Sequence, residues 1–234
     1  LVAALSAEKQ LATATPGAVS NKAETGVARP GTVRAGGINK QPTQISLQQQ
    51  ADNEFRRAYQ LMRQGRDTDA LAGYENALKL DPGHELARQT MVSLLLEKRR
   101  NADAERVLQE GLQGNPQQAN FAMLLARLQV ERQAVPVALE TLQRTLPYAG
   151  TQPDYLAFVA ALLQRQSRHR EAIDYYQKAL QFKPQSGVWM MGMGISLRAE
   201  QRNAEAREVF QQALDSNSLN GELQAFVRQQ LKEL

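Results

Sequence analysis

From Ala51 onward the apolar positions recur at helical rather than strand spacing. The stretches from Arg57 to Met62 and from Ala70 to Leu80 each place apolar side chains three and four residues apart, and the polar turn Gln64-Gly65-Arg66-Asp67 separates them. That pattern predicts a helical hairpin, and the hairpin repeats. Frames starting at residues 51, 85, 119, 153 and 187 bring Ala70, Ala104, Ala138, Ala172 and Ala206 to the same internal position, 20. Position 24 then reads Tyr74, Leu108, Leu142, Tyr176 and Phe210, and position 27 reads Ala77, Gly111, Thr145, Ala179 and Ala213. Position 8 holds Ala58, Val92, Ala126, Ala160 and Gly194, and position 32 holds Pro82, Pro116, Gly150, Pro184 and Ser218.

These residue types have a packing reason. Small side chains at 8, 20 and 27 let two antiparallel helices approach closely, and the large residue at 24 fills the space toward the next hairpin. Proline at 32 cannot continue the second helix. Pro136 and Pro153 fall where a helix begins and a missing N–H costs least. The reading is all-α: an α-solenoid of five hairpins (51–84, 85–118, 119–152, 153–186 and 187–218). A last helix within 219–234 caps it, with Leu223, Phe226, Val227 and Leu231 on one stripe.

The residues at 8, 20, 24, 27 and 32 make residues 51–220 resemble the tetratricopeptide repeat family, whose stacked hairpins form a right-handed solenoid. The chain departs from the family at position 4, where no unit has Trp, at Arg57 in position 7, and at Thr145 and Gly150 in the third unit. The resemblance implies protein or peptide partners held in a groove lined by positions 2, 5, 9, 12 and 13 of each first helix. In this chain those positions include Phe55, Tyr59, Met62, Arg63, Leu86, Gln89, Leu96, Glu97, Met123, Arg127 and Val130, and then Asp154, Gln164, Arg165, Val188, Met191, Ile195 and Arg198. Several of these could equally pack between repeats. A subclass of the family clamps carboxylates with Lys and Asn at 5, 9 and 13; Phe55, Tyr59 and Arg63 stand there instead, which disfavours a co-chaperone of that type.

Composition narrows the function classes. Residues 1–50 contain no Phe, Tyr or Trp and include Pro16, Pro30 and Pro42, so they read as a flexible linker. Leu1–Leu5 reads as the possible end of a preceding helix. The chain carries a net charge of +4, but residues 51–234 hold 23 basic against 22 acidic side chains, a balance that disfavours nucleic acid. Without cysteine, disulfides, thiol nucleophiles and cysteine-ligated metals are excluded. His84 and His169 have no metal-ligand spacing, and both read as loop residues, so no metal or cofactor is expected. Gly192-Met193-Gly194 resembles the start of a phosphate loop but lacks the third glycine and a preceding strand. Acidic pairs such as Asp67/Asp69 and Asp103/Glu105 suit helix N-termini. No catalytic constellation emerges, and the chain reads as a non-enzymatic binding protein.

A narrower resemblance lies in Val188–Leu197, Glu205-Ala206, Phe210–Leu214, Leu219–Val227 and Leu231–Leu234. These segments are similar to proteins of mannose-sensitive haemagglutinin pilus biogenesis, a type IV pilus system. That resemblance implies an adaptor for pilus-assembly subunits, periplasmic and tethered to the inner membrane by an anchor outside this chain. A linker of 50 residues has a coil dimension of about 40 Å. Two alternatives stand beside it: a general soluble chaperone-like or regulatory repeat module, cytoplasmic or otherwise, and an array whose own N-terminal segment occupies the groove.

Overall fold

The computed structural model describes residues 46–234. The expectations for a linker, a helix end at Leu1–Leu5 and a tail in the groove concern residues outside that range, apart from the linker's last residues. Those last residues are helical: α1 spans Leu47–Arg63, so four residues assigned to the linker belong to the first hairpin. Their composition is unremarkable, but Ser46 Oγ accepts from the Gln49 N–H at 3.2 Å and Gln49 Oε1 accepts from the Ser46 N–H at 3.1 Å. This reciprocal cap starts the helix early.

Ten further helices follow: α2 (Asp67–Leu80), α3 (Glu85–Glu97), α4 (Asn101–Gly114), α5 (Ala119–Glu131), α6 (Val135–Ala149), α7 (Pro153–Arg165), α8 (His169–Phe182), α9 (Gly187–Ala199), α10 (Asn203–Asp215) and α11 (Gly221–Lys232). They form five antiparallel hairpins closed by α11, and no strand occurs among the described residues. The alanines at position 20 are all fully buried, and the residues at position 24 are 0–4% exposed.

Every hairpin turns by the same device. In the first, the Gly65 N–H donates to the Met62 carbonyl and the Arg66 N–H to the Leu61 carbonyl, with Gly65 at φ +75°. The same two bonds recur in the other four, where the left-handed residue is Arg99, Gln133, Ser167 or Gln201. The next residue begins the second helix, its carbonyl accepting from the N–H of the position 20 alanine (Arg66 from Ala70, for example). In four units that residue is an arginine paired with a carboxylate three positions on: Arg66–Asp69, Arg100–Asp103, Arg168–Glu171 and Arg202–Glu205. The third unit has Ala134 and Val137 instead. Its second helix also runs on through Pro147 to Ala149, beyond where the other units stop.

Neighbouring units are tied by ion pairs across the turns: Lys98 to Asp67, Arg132 to Glu105 at 3.1 Å, and Arg170 to Glu200 at 2.7 Å. The buried apolar residues fall into two large clusters. One runs from Ala58 to Leu128 and the other from Ala119 to Val227, with Leu112 packed against both. A small third cluster joins Leu156, Ala157 and Ala179 with the half-buried Trp189 beside them.

Candidate functional site

The first helices α1, α3, α5, α7 and α9 bury positions 4, 7, 8 and 11 in most units, which leaves the stripe at 2, 5, 9, 12 and 13 to be sorted by exposure. The first three units carry the accessible part. Tyr59 is 41% exposed and Leu86 60% exposed, while Phe55, Met62, Leu96 and Met123 are half-buried. Phe55 is the centre of a small aromatic group, its ring 6.3 Å from Tyr59, 5.9 Å from Tyr74 and 5.1 Å from His84. Met62 accepts a hydrogen bond at its sulfur from the Tyr74 hydroxyl at 3.5 Å. Burial, with the Tyr59 phenol nearby, pushes the Tyr74 phenol up to about 12. Arg63, Gln89, Glu97 and Arg127 are exposed.

The last two units are different, because much of their stripe is already occupied. Gln164 donates to the Gly192 carbonyl at 2.9 Å and accepts from the Tyr176 hydroxyl at 3.3 Å, so it joins α7, α8 and α9. Arg198 bonds Gln230 and, at 2.8 Å, Glu233 on the C-terminal segment. Asp154 is held by Lys183 at 2.7 Å, and Lys183 also lies 5.4 Å from the Trp189 ring centroid. Met191 is 6% exposed and, in the third unit, Val130 is 7% exposed; both support the wall from within. Arg165, Val188 and Ile195 are half-buried. The eighteen groove candidates thus separate into an open surface on α1, α3 and α5 and a stretch on α7 and α9 that is largely bonded to its own chain.

His84 lies in a connection between helices, as the sequence suggested, but neither histidine has the solvated loop setting expected of it. His84 is 9% exposed and caps α3, its Nδ1 accepting from the Ala87 N–H at 3.1 Å while Nε2 bonds Asp52 at 3.1 Å. It therefore forms the floor beneath Phe55 rather than a solvated loop. The signal was positional: position 34 of each unit, read as His84, Gln118, Gln152, Ser186 and Asn220, is the residue before the next first helix. His169 opens α8 instead of lying in the turn, and its Nδ1 is shielded from solvent. Gly192 and Gly194 lie inside α9, where a Cβ would come within 2.5 Å of Tyr176 and 2.6 Å of Phe210 respectively. They are close-packing residues, and a helix interior offers no phosphate loop. Among the described residues, no group of three His, Cys, Asp or Glu side chains could hold a metal.

One tetratricopeptide repeat model matches residues 61–128 and 95–162, and a second model of the same repeat matches residues 153–186. Together these matches cover more than half of the chain. The chain belongs to the tetratricopeptide repeat family. Solved tetratricopeptide structures share the fold at low identity. A MamA protein aligns with TM-score 0.60 and 18% identity over 71% of this chain and 91% of its own. MamA of Desulfovibrio magneticus RS-1 aligns with TM-score 0.58 and 14% identity, over 74% of this chain and 97% of its own. YrrB, described as a tetratricopeptide repeat protein with an unusual peptide-binding site, aligns with TM-score 0.63 and 18% identity over 79% and 92%. No curated protein matched. Tetratricopeptide repeats are protein-interaction scaffolds, generally without enzymatic activity, and this chain is one by membership.

Proposed function

We propose that this protein is an adaptor that holds protein partners on the open face of α1, α3 and α5, and that its partners are type IV pilus-assembly subunits. The observation that carries the binding reading is that exposed Tyr59 and Leu86 share the stripe with half-buried Phe55, Met62, Leu96 and Met123, whereas the other exposed large apolar residues, Leu47, Val137, Tyr148, Phe182 and Phe226, lie off that stripe. Met62 and Met123 give that face adaptable packing. The pilus assignment rests on the similarity of the Val188–Leu234 segments to proteins of mannose-sensitive haemagglutinin pilus biogenesis. With it comes a periplasmic position, tethered to the inner membrane. No helix among the described residues is long and apolar enough to cross a membrane, so on this reading the tether lies elsewhere in the protein.

YrrB favours a second reading, in which the array is a general peptide-binding module with no pilus role. In-cell crosslinking with mass spectrometry separates the two. The parent protein is compared with a Tyr59→Asp, Met123→Asp variant and with Leu86→Asp, each checked for helical content by circular dichroism. Pilus-assembly proteins captured by the wild type and lost from both folded variants support the adaptor. Capture of only chaperones or metabolic proteins removes the pilus role, and capture that survives both variants removes the α1/α3/α5 face.

A further inference from the structure

The joint between the first and second hairpins is held by a side chain of the type that changes charge near neutral pH. Position 34 sets one residue before each following first helix and before α11, yet only two of those five cap it with a side chain: His84 Nδ1 accepts from the Ala87 N–H at 3.1 Å, and Asn220 Oδ1 accepts from the Leu223 N–H at 2.9 Å. Of the two, only the imidazole takes up a proton between about pH 5 and 8. Because Nδ1 accepts, the neutral ring carries its proton on Nε2 and donates it to Asp52 on α1 at 3.1 Å. Both nitrogens are thus committed. A second proton can enter only at Nδ1, where it would point at the Ala87 N–H, so protonation replaces an acceptor by a donor and sets a cation at the positive end of α3.

The charged groups around the ring decide which contact survives. Asp52 is the carboxylate bonded to it, and Glu85 follows it in the first turn of α3. Asp81, in the connection, gives its carboxylate to the Gly83 N–H, and Arg88 on α3 turns its guanidinium to the Pro82 and Val107 carbonyls. The Tyr74 phenol of α2, beyond Phe55, is pushed up to about 12 and stays neutral. Asp52 therefore keeps its hold on a charged ring while α3 loses its cap. What the cap orders belongs to the open face: Leu86, 60% exposed, lies in the capped turn, and the Phe55 ring rests 5.1 Å from the imidazole with Tyr59 6.3 Å beyond it. Resting on the reading of this face as the binding surface, we infer that His84 is its proton sensor: protonation at Nδ1 releases the first turn of α3 and loosens the surface around Leu86.

Hydrogen exchange and methyl NMR of the 234-residue chain at about pH 7.5 and about pH 5.5 test this, with exchange corrected for its intrinsic pH dependence. Wild type is compared with His84→Asn, which caps without titrating, and with His169→Gln, which removes the other histidine. On acidification, protection at Ala87 should fall about fivefold in the wild type and in His169→Gln, the change expected for a lost cap, and the Leu86 methyl signals should sharpen in parallel. Neither should change in His84→Asn, and Leu223, under its asparagine cap, should hold its protection throughout. Constant protection at Ala87 or unmoved Leu86 methyls in the wild type overturn the sensor. So does a fall that is shared by Leu223, persists in His84→Asn or disappears in His169→Gln. No partner enters this measurement, so its failure is distinct from failure of the binding reading, which the crosslinking of the Tyr59→Asp, Met123→Asp variant decides.

Discussion

The side chain of Arg88 crosses Gly111 so closely that a Cβ on the glycine would lie 2.4 Å from the arginine Cδ. The guanidinium is pinned beyond it, donating to the Val107 and Pro82 carbonyls at 2.8 Å each, and burial lowers its pKa against the opposing pull of Glu110. Alanine favours helices over glycine by about 1 kcal/mol, yet Gly111→Ala should destabilise the protein by about 1–3 kcal/mol because the pinned stem cannot yield. Urea unfolding followed by circular dichroism measures it. In Arg88→Met combined with Gly111→Ala most of that loss should return, since Leu156 with Ala179 and Met190 with Ala213 fill the same two positions elsewhere. An alanine variant as stable as the wild type would refute the close crossing.

Four hairpin turns place a side chain in left-handed backbone where the first has glycine: Arg99 at φ 58°, Gln133 at 66°, Ser167 at 58° and Gln201 at 60°. That conformation costs a non-glycine residue about 1–2 kcal/mol, and glycine's extra unfolded-state freedom offsets part of the relief. Gln133→Gly should therefore stabilise by about 0.5–1 kcal/mol, while Gly65→Ala, at φ 75°, should destabilise by about 1 kcal/mol. Paired denaturation curves for the two variants decide it; equal effects of one sign would contradict the turn geometry.

His84 joins the cap of α3 to Asp52 on α1, so its removal opens two bonds at once. His84→Ala should cost about 1–3 kcal/mol through the uncapped Ala87 N–H and the lost Asp52 contact, and His84→Asn should recover the cap. Hydrogen exchange at Ala87 reports the cap directly. Unchanged protection in the alanine variant would assign the helix start to something other than the ring.

Acid should loosen the turns. Hydrogen bonds from Arg168 and Arg202 hold the Glu171 and Glu205 carboxyls below their ordinary value of 4.5. The folded chain thus binds fewer protons there than the unfolded one, so the contribution is complete above about 4.5 and is lost as pH falls through the depressed values. Both pairs are solvent-exposed, so the effect is small and weakens with salt. The thermal midpoint should decline more gently below pH 4.5 in Glu171→Gln than in the wild type. Parallel curves would mean that Arg168 contributes nothing to the titration.

The repeat was legible because identical packing demands recur. Ala70, Ala104, Ala138, Ala172 and Ala206 are all buried, and together with the recurring positions 8, 24, 27 and 32 they marked the five helix pairs, while the Leu223, Phe226, Val227 and Leu231 stripe marked the cap. The start of α1 was less visible, since the Ser46 and Gln49 cap acts through two hydrogen bonds that leave no mark on hydrophobicity. The candidate site was legible only as a stripe. Projection placed Tyr59, Gln164 and Arg198 on one side of their helices, but whether each meets solvent, the Gly192 carbonyl or Glu233 depends on partners from other elements. His84 was misread because a polar residue between helices looks solvated until the helix it caps is known.

Leu112 is the one half-buried leucine shared by the two large clusters, and its position bears on how the molecule would come apart. Apolar contacts that divide into two pools bind the array as two blocks, each cooperative within itself and coupled chiefly where α4 and α5 meet. The face carrying Tyr59 and Leu86 belongs to the first block, whereas the cap formed by α11 secures the second. A partner seated on the first block would thus delay its melting and leave the other block to unfold at its own temperature.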